Sequence, residues 1–348
     1  MSRSDTDHSR SQRSPWWSMV LRGLVLAAAL FFLARGVKWH DISIAVRRAG
    51  VLVPSVVVAM NACMMGLRAL RLRVLLARRL SFRSAFTTLL TSSALNNVTP
   101  FRGGHVARLW MLESTAGVTK SAALAVTLVE NLLEIAVLAL LAFAASCLTS
   151  DQGWATVAAP LVFAGTVALL ILLWATAGRA ARVGVARGTL RGGWRGKLRQ
   201  FLLRSERGCR ALSEPGVPAR AALLSLLAWL CEAAMILVCA RSMGLALSFP
   251  LSVVVLFGIN LALALPSTPA STGPFEGATV AVLLFAGIAK GPAVAFAFFY
   301  HAIQVVPVTV VGAAALLLSR RRRFCAAERR DTESAPAPPA PAVNVEQF

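Results

Sequence analysis

The sequence predicts an all-α polytopic membrane protein: about six full transmembrane helices plus two oppositely oriented broken-helix hairpins, arranged as an inverted repeat. Three observations predict it. Apolar stretches recur between residues 19 and 318, and several reach the ~20 residues that cross ~30 Å of hydrocarbon as a helix. Only 15% of the 348 residues are charged, against about 25% in an ordinary soluble domain, and mean hydropathy is +0.68. Two shorter apolar regions, one in each half, are broken in the middle by Pro, Gly and hydroxyl residues.

Taken in order, the first run, 19–36, follows Trp16 and Trp17 and precedes Trp39, as an interfacial aromatic belt would place them. No small-residue cleavage site follows it before Trp39, so it is a retained helix rather than a signal peptide. Full-length runs follow at 51–70, 121–147, 154–175, 220–241 and 292–318, with Trp154 and Trp174 at the ends of one of them. The broken regions are 84–112 and 249–289.

Basic residues assign the sides. The N-terminus, Arg68 to Arg83, Arg102 to Lys120, Arg179 to Arg220 and the tail from Arg320 hold 29 of the 36 Lys and Arg, so positive-inside bias makes these stretches, and both termini, cytoplasmic at the cell membrane. Arg83 and Lys120 then share a side although an apolar segment separates them. Residues 84–112 must therefore enter the membrane and return, with "NNVTPFRGG" at the tip. The same parity makes 249–289 a hairpin from the opposite face, broken at "LPSTPASTGPFEG", 265–277. Non-helical backbone at membrane depth is tolerated where it is buried in protein or lines a water-filled cavity, and paired broken segments mark transporters with a midplane site. The organisation is an N-terminal segment 1–18, a transmembrane domain 19–318 with a basic loop 178–220, and a basic, then Pro/Ala-rich and disordered tail 319–348.

The net charge of +21 is distributed among loops that set orientation and attract anionic lipid, which argues against a nucleic-acid partner. Within the loop, "WRGKLRQFLLR", 194–204, has the pattern of an amphipathic helix on anionic lipid. The six Cys form no CxxC pair, and no metal or cofactor motif is present.

Four stretches, in order, carry a family resemblance: "RALRLRVLL" (68–76), "PFRGGHVAR" (100–108), "VENLLE" (129–134) and "PSTPASTGPFE" (266–276). They resemble the "RALRWRLLL", "P-G-R-x-G-E-x-x-R", "E-R-x-x-D" and "P-x-x-P-G-G-x-G-x-F-E" stretches of the flippase-like transmembrane region of the lysylphosphatidylglycerol synthase family. His105 stands where the family usually has Glu, Asn131 where it has Arg, Ala270 and Ser271 where it has paired Gly, and His301 where it has Arg. The resemblance implies lipid translocation. Members that make aminoacylated lipid carry a soluble transferase domain after the membrane part, whereas this sequence ends in "APAPPAPAVNVEQF", so no synthase activity is expected.

A flippase needs a polar groove and a cation inside it. Arg102 and Arg108 suit bidentate contact with phosphate, assisted by the helix N-terminus expected after Gly104. Glu130 and Glu134, spaced i, i+4, share one helix face and need a partner or a proton, holding Arg71 or Arg102 in place or relaying a proton. Glu276 either caps a half-helix or faces the headgroup, and Ser267, Thr268, Ser271 and Thr272 offer hydroxyls. The headgroup-binding set is thus Arg71, Arg102, His105, Arg108, Thr268, Ser271 and Glu276. Glu232, His301 and Gln304 are lesser candidates, suited equally to core hydrogen bonds. The leading reading is a lipid flippase without covalent chemistry or cofactor, whose partners are its lipid substrate and anionic lipid at the basic loops. The alternatives are a membrane subunit serving a lipid- or glycan-modifying enzyme, and an integral-membrane transferase using Glu130, Glu134 or His105 as base.

Overall fold

The computed structural model describes residues 50–99, 103–149, 153–182, 214, 216–264 and 269–333. The run at 19–36, nearly all of the basic loop and the Pro/Ala-rich end of the tail lie outside the described residues. Among the described residues there are nine α-helices and no strand. They are α1 (Leu52–Leu75), α2 (Phe82–Val98), α3 (Gly103–Ala116), α4 (Lys120–Cys147), α5 (Gly153–Arg182), α6 (Val217–Ser242), α7 (Phe249–Leu263), α8 (Pro274–Phe285) and α9 (Lys290–Glu333), with a 3-10 turn at Pro269–Ser271 before α8. Five of them, α1, α4, α5, α6 and α9, are long and apolar enough to cross a membrane. The chain is a multi-pass membrane protein.

Local chemistry explains where the helices start. Ser81, Thr119 and Ser248 accept hydrogen bonds from the backbone N–H groups of Ser84, Ala122 and Leu251 at 3.1, 3.4 and 3.3 Å, the side-chain capping that helix N-termini favour. Leu80 and Leu247, just ahead of two of these caps, are buried. Pro218, Pro250 and Pro274 fall in first turns, where a missing N–H costs nothing.

Three helices run well past the sequence expectation, and one of them, α5, continues beyond residue 175 to Arg182, taking Arg179 and Arg182 out of the expected loop. Helix α1 continues past residue 70 to Leu75, so Arg68 and Arg71 belong to a membrane helix and not to a cytoplasmic loop. Helix α9 continues past 318 to Glu333, because neither Gly nor Pro occurs between Gly312 and Pro336 to stop it.

The packing repeats. The set α1–α4 and the set α6–α9 each consist of a long helix, a hairpin of two short helices and a second long helix. Each internal contact of the first set, α1 with α2 and α4, α2 with α3, α3 with α4, has its equivalent in the second. The cross-contacts are paired too: α2 lies on α9 as α7 lies on α4, and α1 meets α9 as α6 meets α4. The equivalent helices α1 and α6 touch each other along the middle and run antiparallel, since Arg71 meets Ser225, Arg68 meets Glu232 and Met60 meets Cys231. Antiparallel equivalents are what an inverted repeat requires.

Small residues allow the close approach that membrane helices depend on. A Cβ on Gly312 of α9 would sit 2.7 Å from the Leu90 carbonyl oxygen of α2, and one on Gly104 of α3 would sit 1.9 Å from the Ser92 carbonyl oxygen. The main apolar core, with Ile236, Leu256, Phe257, Phe296 and Tyr300, joins α6, α7 and α9 to α8 and to residues of α1, α4 and α5. Leu161, Ile171, Val310 and Leu317 point outward, as lipid-facing residues should.

Candidate functional site: a charged network between the halves

Arg68 and Arg71 are spaced i, i+3 in α1 and therefore share a face. Arg71 Nη2 lies 2.6 Å from Glu130 Oε1 and 2.7 Å from Glu134 Oε1, and its Nη1 donates to Ser225 Oγ at 2.9 Å. Arg108, from α3, donates to the other oxygen of Glu130. Arg68 reaches Glu134 Oε1 with Nε at 3.3 Å and Glu232 Oε2 with Nη2 at 3.2 Å. Glu232 Oε1 accepts from the Gln304 amide at 3.1 Å, and that amide also donates to the Tyr300 hydroxyl at 2.7 Å. One continuous path thus joins α3, α4, α1, α6 and α9, with three guanidinium groups set against three carboxyl groups.

Glu130 stands ten residues into the 28-residue α4, about 15 Å along it at ~1.5 Å per residue, and so well inside a helix long and apolar enough to cross a membrane. A lone charge there costs several kcal/mol, which explains why each carboxylate has a cationic partner. Exposure is graded along the path. The Arg71, Glu130 and Arg108 side chains are 1%, 3% and 7% exposed, whereas those of Glu232, Glu134 and Arg68 are 12%, 19% and 22% exposed. The Arg68 guanidinium also lies 5.2 Å from the centroid of the Trp229 ring, a cation–π distance, and the Trp229 indole donates to the Glu134 carbonyl at 3.0 Å.

A second buried cluster sits at the start of α8. His301 Nδ1 is 2.6 Å from Glu276 Oε1, and His301 Nε2 is 2.9 Å from the Ala270 carbonyl. A carbonyl only accepts, so Nε2 carries a hydrogen, and the short Nδ1 to Oε1 contact then holds one proton on one atom or the other. The other Glu276 oxygen accepts from the Gly273 N–H at 2.7 Å, and the His301 ring stacks on Phe275 at 4.3 Å. These contacts clamp a strained turn: Ala270 and Ser271 have φ of 54° and 60°, the left-handed region that costs an ordinary residue about 1–2 kcal/mol. The paired glycines usual in the resembling family would adopt it freely. The departures at Ala270, Ser271 and His301 thus fall on one clamped turn.

Of the predicted residues, Arg71, Arg108, Glu130 and Glu134 come together, the first two as the cationic partners of the last two. Glu276 both caps α8 and pairs with His301. His105 lies on α3 and Ser271 in the 3-10 turn, and α2 packs against that turn, so the first hairpin meets the second break. Arg102 and Thr268 lie outside the described residues. Sequence reasoning passed over Arg68, Trp229, Ser225 and Tyr300, and ranked Glu232 and Gln304 low. The signal for Arg68 was present: "RALR" places two arginines on one helical face. Also present was an internal repeat, with Leu80-Ser81-Phe82 matched by Leu247-Ser248-Phe249 and "PFRG" (100–103) by "PFEG" (274–277). Among the described residues no group of three His, Cys, Asp or Glu side chains is placed to hold a metal.

The family model described as the lysylphosphatidylglycerol synthase TM region matches residues 19–312. No curated protein and no solved structure matches the chain. The chain belongs to the lysylphosphatidylglycerol synthase transmembrane-region family.

Proposed function

We propose that this member of the family moves the polar headgroup of a membrane lipid across the cell membrane, along a polar path between two hairpins that enter from opposite faces, with both termini cytoplasmic. The observation that carries the reading is the largely buried charged network inside the membrane helices, joining the two halves. Ionisable groups there are costly, and in transporters they lie where repeats meet and the substrate passes. Packing alone needs no such network, since apolar residues of similar volume stabilise a core at least as well. Arg102, next to the Gly103-Gly104 approach, and Thr268, beside the clamped turn, are the further headgroup contacts in this reading. The basic loops bind anionic lipid at the cytoplasmic surface.

The test is reconstitution of the purified full chain into vesicles containing a headgroup-labelled anionic phospholipid, with a membrane-impermeant reagent that destroys label in the outer leaflet only. Acceleration of label loss beyond half, absent from protein-free vesicles, is expected. Movement only after a second membrane or soluble protein is added would replace this reading with the anchoring subunit. Appearance of a new covalent lipid species would replace it with a transferase.

A further inference from the structure

We infer that Arg68, backed by Trp229, is an anion-exchange subsite where the phosphate of a lipid headgroup displaces the Glu232 carboxylate, which takes up one proton from water as it is released. The inference deepens the proposed lipid translocation and rests on that reading for the source of the phosphate.

The partners of the three arginines rank them. Arg71 holds two carboxylates and a hydroxyl at 2.6 to 2.9 Å, inside protein. Arg68 has its two carboxylate contacts at 3.2 and 3.3 Å, and the second is not a hydrogen bond. Among the carboxyl groups, Glu130 and Glu134 each contact two arginines, whereas Glu232 contacts Arg68 alone. Arg68 is thus the most weakly held of the three guanidinium groups and Glu232 the carboxyl group that leaves no second arginine behind, and the two meet at the more exposed end of the path. The Trp229 ring over the guanidinium favours a planar cation that can turn its fork from one oxyanion to another without losing its platform.

Charge then requires the proton. With all three carboxyl groups ionised the three arginines are already balanced, so a phosphodiester beside Arg68 adds an uncompensated negative charge in a low-dielectric site, and one proton on Glu232 restores the balance. The surroundings of Glu232 fit the change of state. From α1 it faces Arg68, from α4 Glu134, and from α9 Gln304 and Tyr300; α7, which also packs on α6, carries no titratable residue. Beside it on α6 is the free Cys231 thiol, which donates to the Met60 carbonyl of α1 at 3.4 Å, with the Cys63 thiol of α1 nearby. Gln304 presents both an amide donor and a carbonyl acceptor, so it can serve the carboxylate now and the protonated acid after exchange. Arg71 and Arg108, tied to Glu130, keep their carboxylates throughout and act as the frame.

Calorimetric titration of the full-length protein in a neutral detergent tests this, with a short-chain phosphatidylglycerol as probe because its phosphodiester does not titrate near neutrality. Repeating the titration in buffers of different ionisation enthalpy counts the protons bound. Wild type should take up about one proton per lipid, and affinity should fall as pH rises. Glu232→Gln should bind with no proton uptake and no pH dependence, while Glu232→Asp retains both. Arg68→Lys, which keeps the charge but not the fork, should weaken binding at least about tenfold at unchanged melting temperature. The chain-free glycerophosphoglycerol diester distinguishes a lipid from a free-phosphate site: equal affinity for it would assign the subsite to soluble phosphodiesters. Binding without proton uptake, uptake that survives in Glu232→Gln, or Arg68→Lys binding like wild type would each overturn the inference. Vesicles that move no lipid, with proton-linked binding intact, would remove only the proposed function.

Discussion

The two halves close their hairpins with opposite charges. In the first, Arg108 on α3 is tied to Glu130 on α4; in the second, Glu276 on α8 is tied to His301 on α9. The long helices that follow the hairpins invite a position-by-position comparison. Glu130 and Tyr300 each stand ten residues after the lysine that begins the helix, and Glu134 and Gln304 each stand fourteen after it. Where the first half has two carboxyl groups facing the centre, the second has a phenol and an amide. The backbone plan is shared and the electrostatics are not. Arginines from α1 and α3 converge on the carboxylates of α4, which makes the first half the fixed side of the site. Groups that can donate or accept surround Glu232, which makes the second half the adjustable side.

The comparison breaks most visibly at Glu130. Glu130→Gln leaves Arg71 and Arg108 under-compensated in the interior, and loss of one member of a buried ionic group costs about 3–5 kcal/mol. Melting of the purified variant in detergent should fall steeply, whereas Tyr300→Phe at the matching position of the second half should cost about 1 kcal/mol for one hydrogen bond. Equal losses at the two sites would show that the halves are electrostatically alike after all.

The hairpin tips offer the next contrast, and it has opposite signs. In the first, Gly104→Ala drives a methyl to 1.9 Å from a backbone oxygen that has no room to yield, so the variant should lose about 1–3 kcal/mol. In the second, Ala270→Gly relieves a left-handed residue and should gain about 1 kcal/mol. A destabilised Ala270→Gly protein would mean that the turn relaxes when its clamp to His301 is intact.

Smallest in stability, but sharpest for the inversion, are Ser81→Cys and Ser248→Cys, each removing one helix cap at a cost of about 1 kcal/mol. Placed singly in a background without the six native cysteines, they should react with a membrane-impermeant maleimide from opposite sides of sealed vesicles. Labelling from the same side would undo the inverted arrangement and the opposed hairpins with it.

The sequence was most legible where a single segment carries the information. Apolar length identified α1, α4, α5, α6 and α9, Pro and Gly located both breaks, and the i, i+4 spacing of Glu130 and Glu134 showed that those carboxyl groups needed partners. It was least legible at Arg68. Charge counting treats an arginine near a helix end as a loop residue, and only the extension of α1 to Leu75 puts this one inside.

By itself, then, the sequence determined which segments are long and apolar enough for a membrane, where the backbone must leave the helix, and that carboxyl groups within such a segment require compensation, because each of these follows from length, composition or local spacing. Tertiary structure decided who compensates whom. Arg71 lies 59 residues from Glu130, and Arg68 lies 164 residues from Glu232. No local periodicity constrains such pairs; they exist because α1 packs against α4 and against its antiparallel equivalent α6, which brings charges from distant parts of the chain into one low-dielectric space, where only matched partners keep the fold stable.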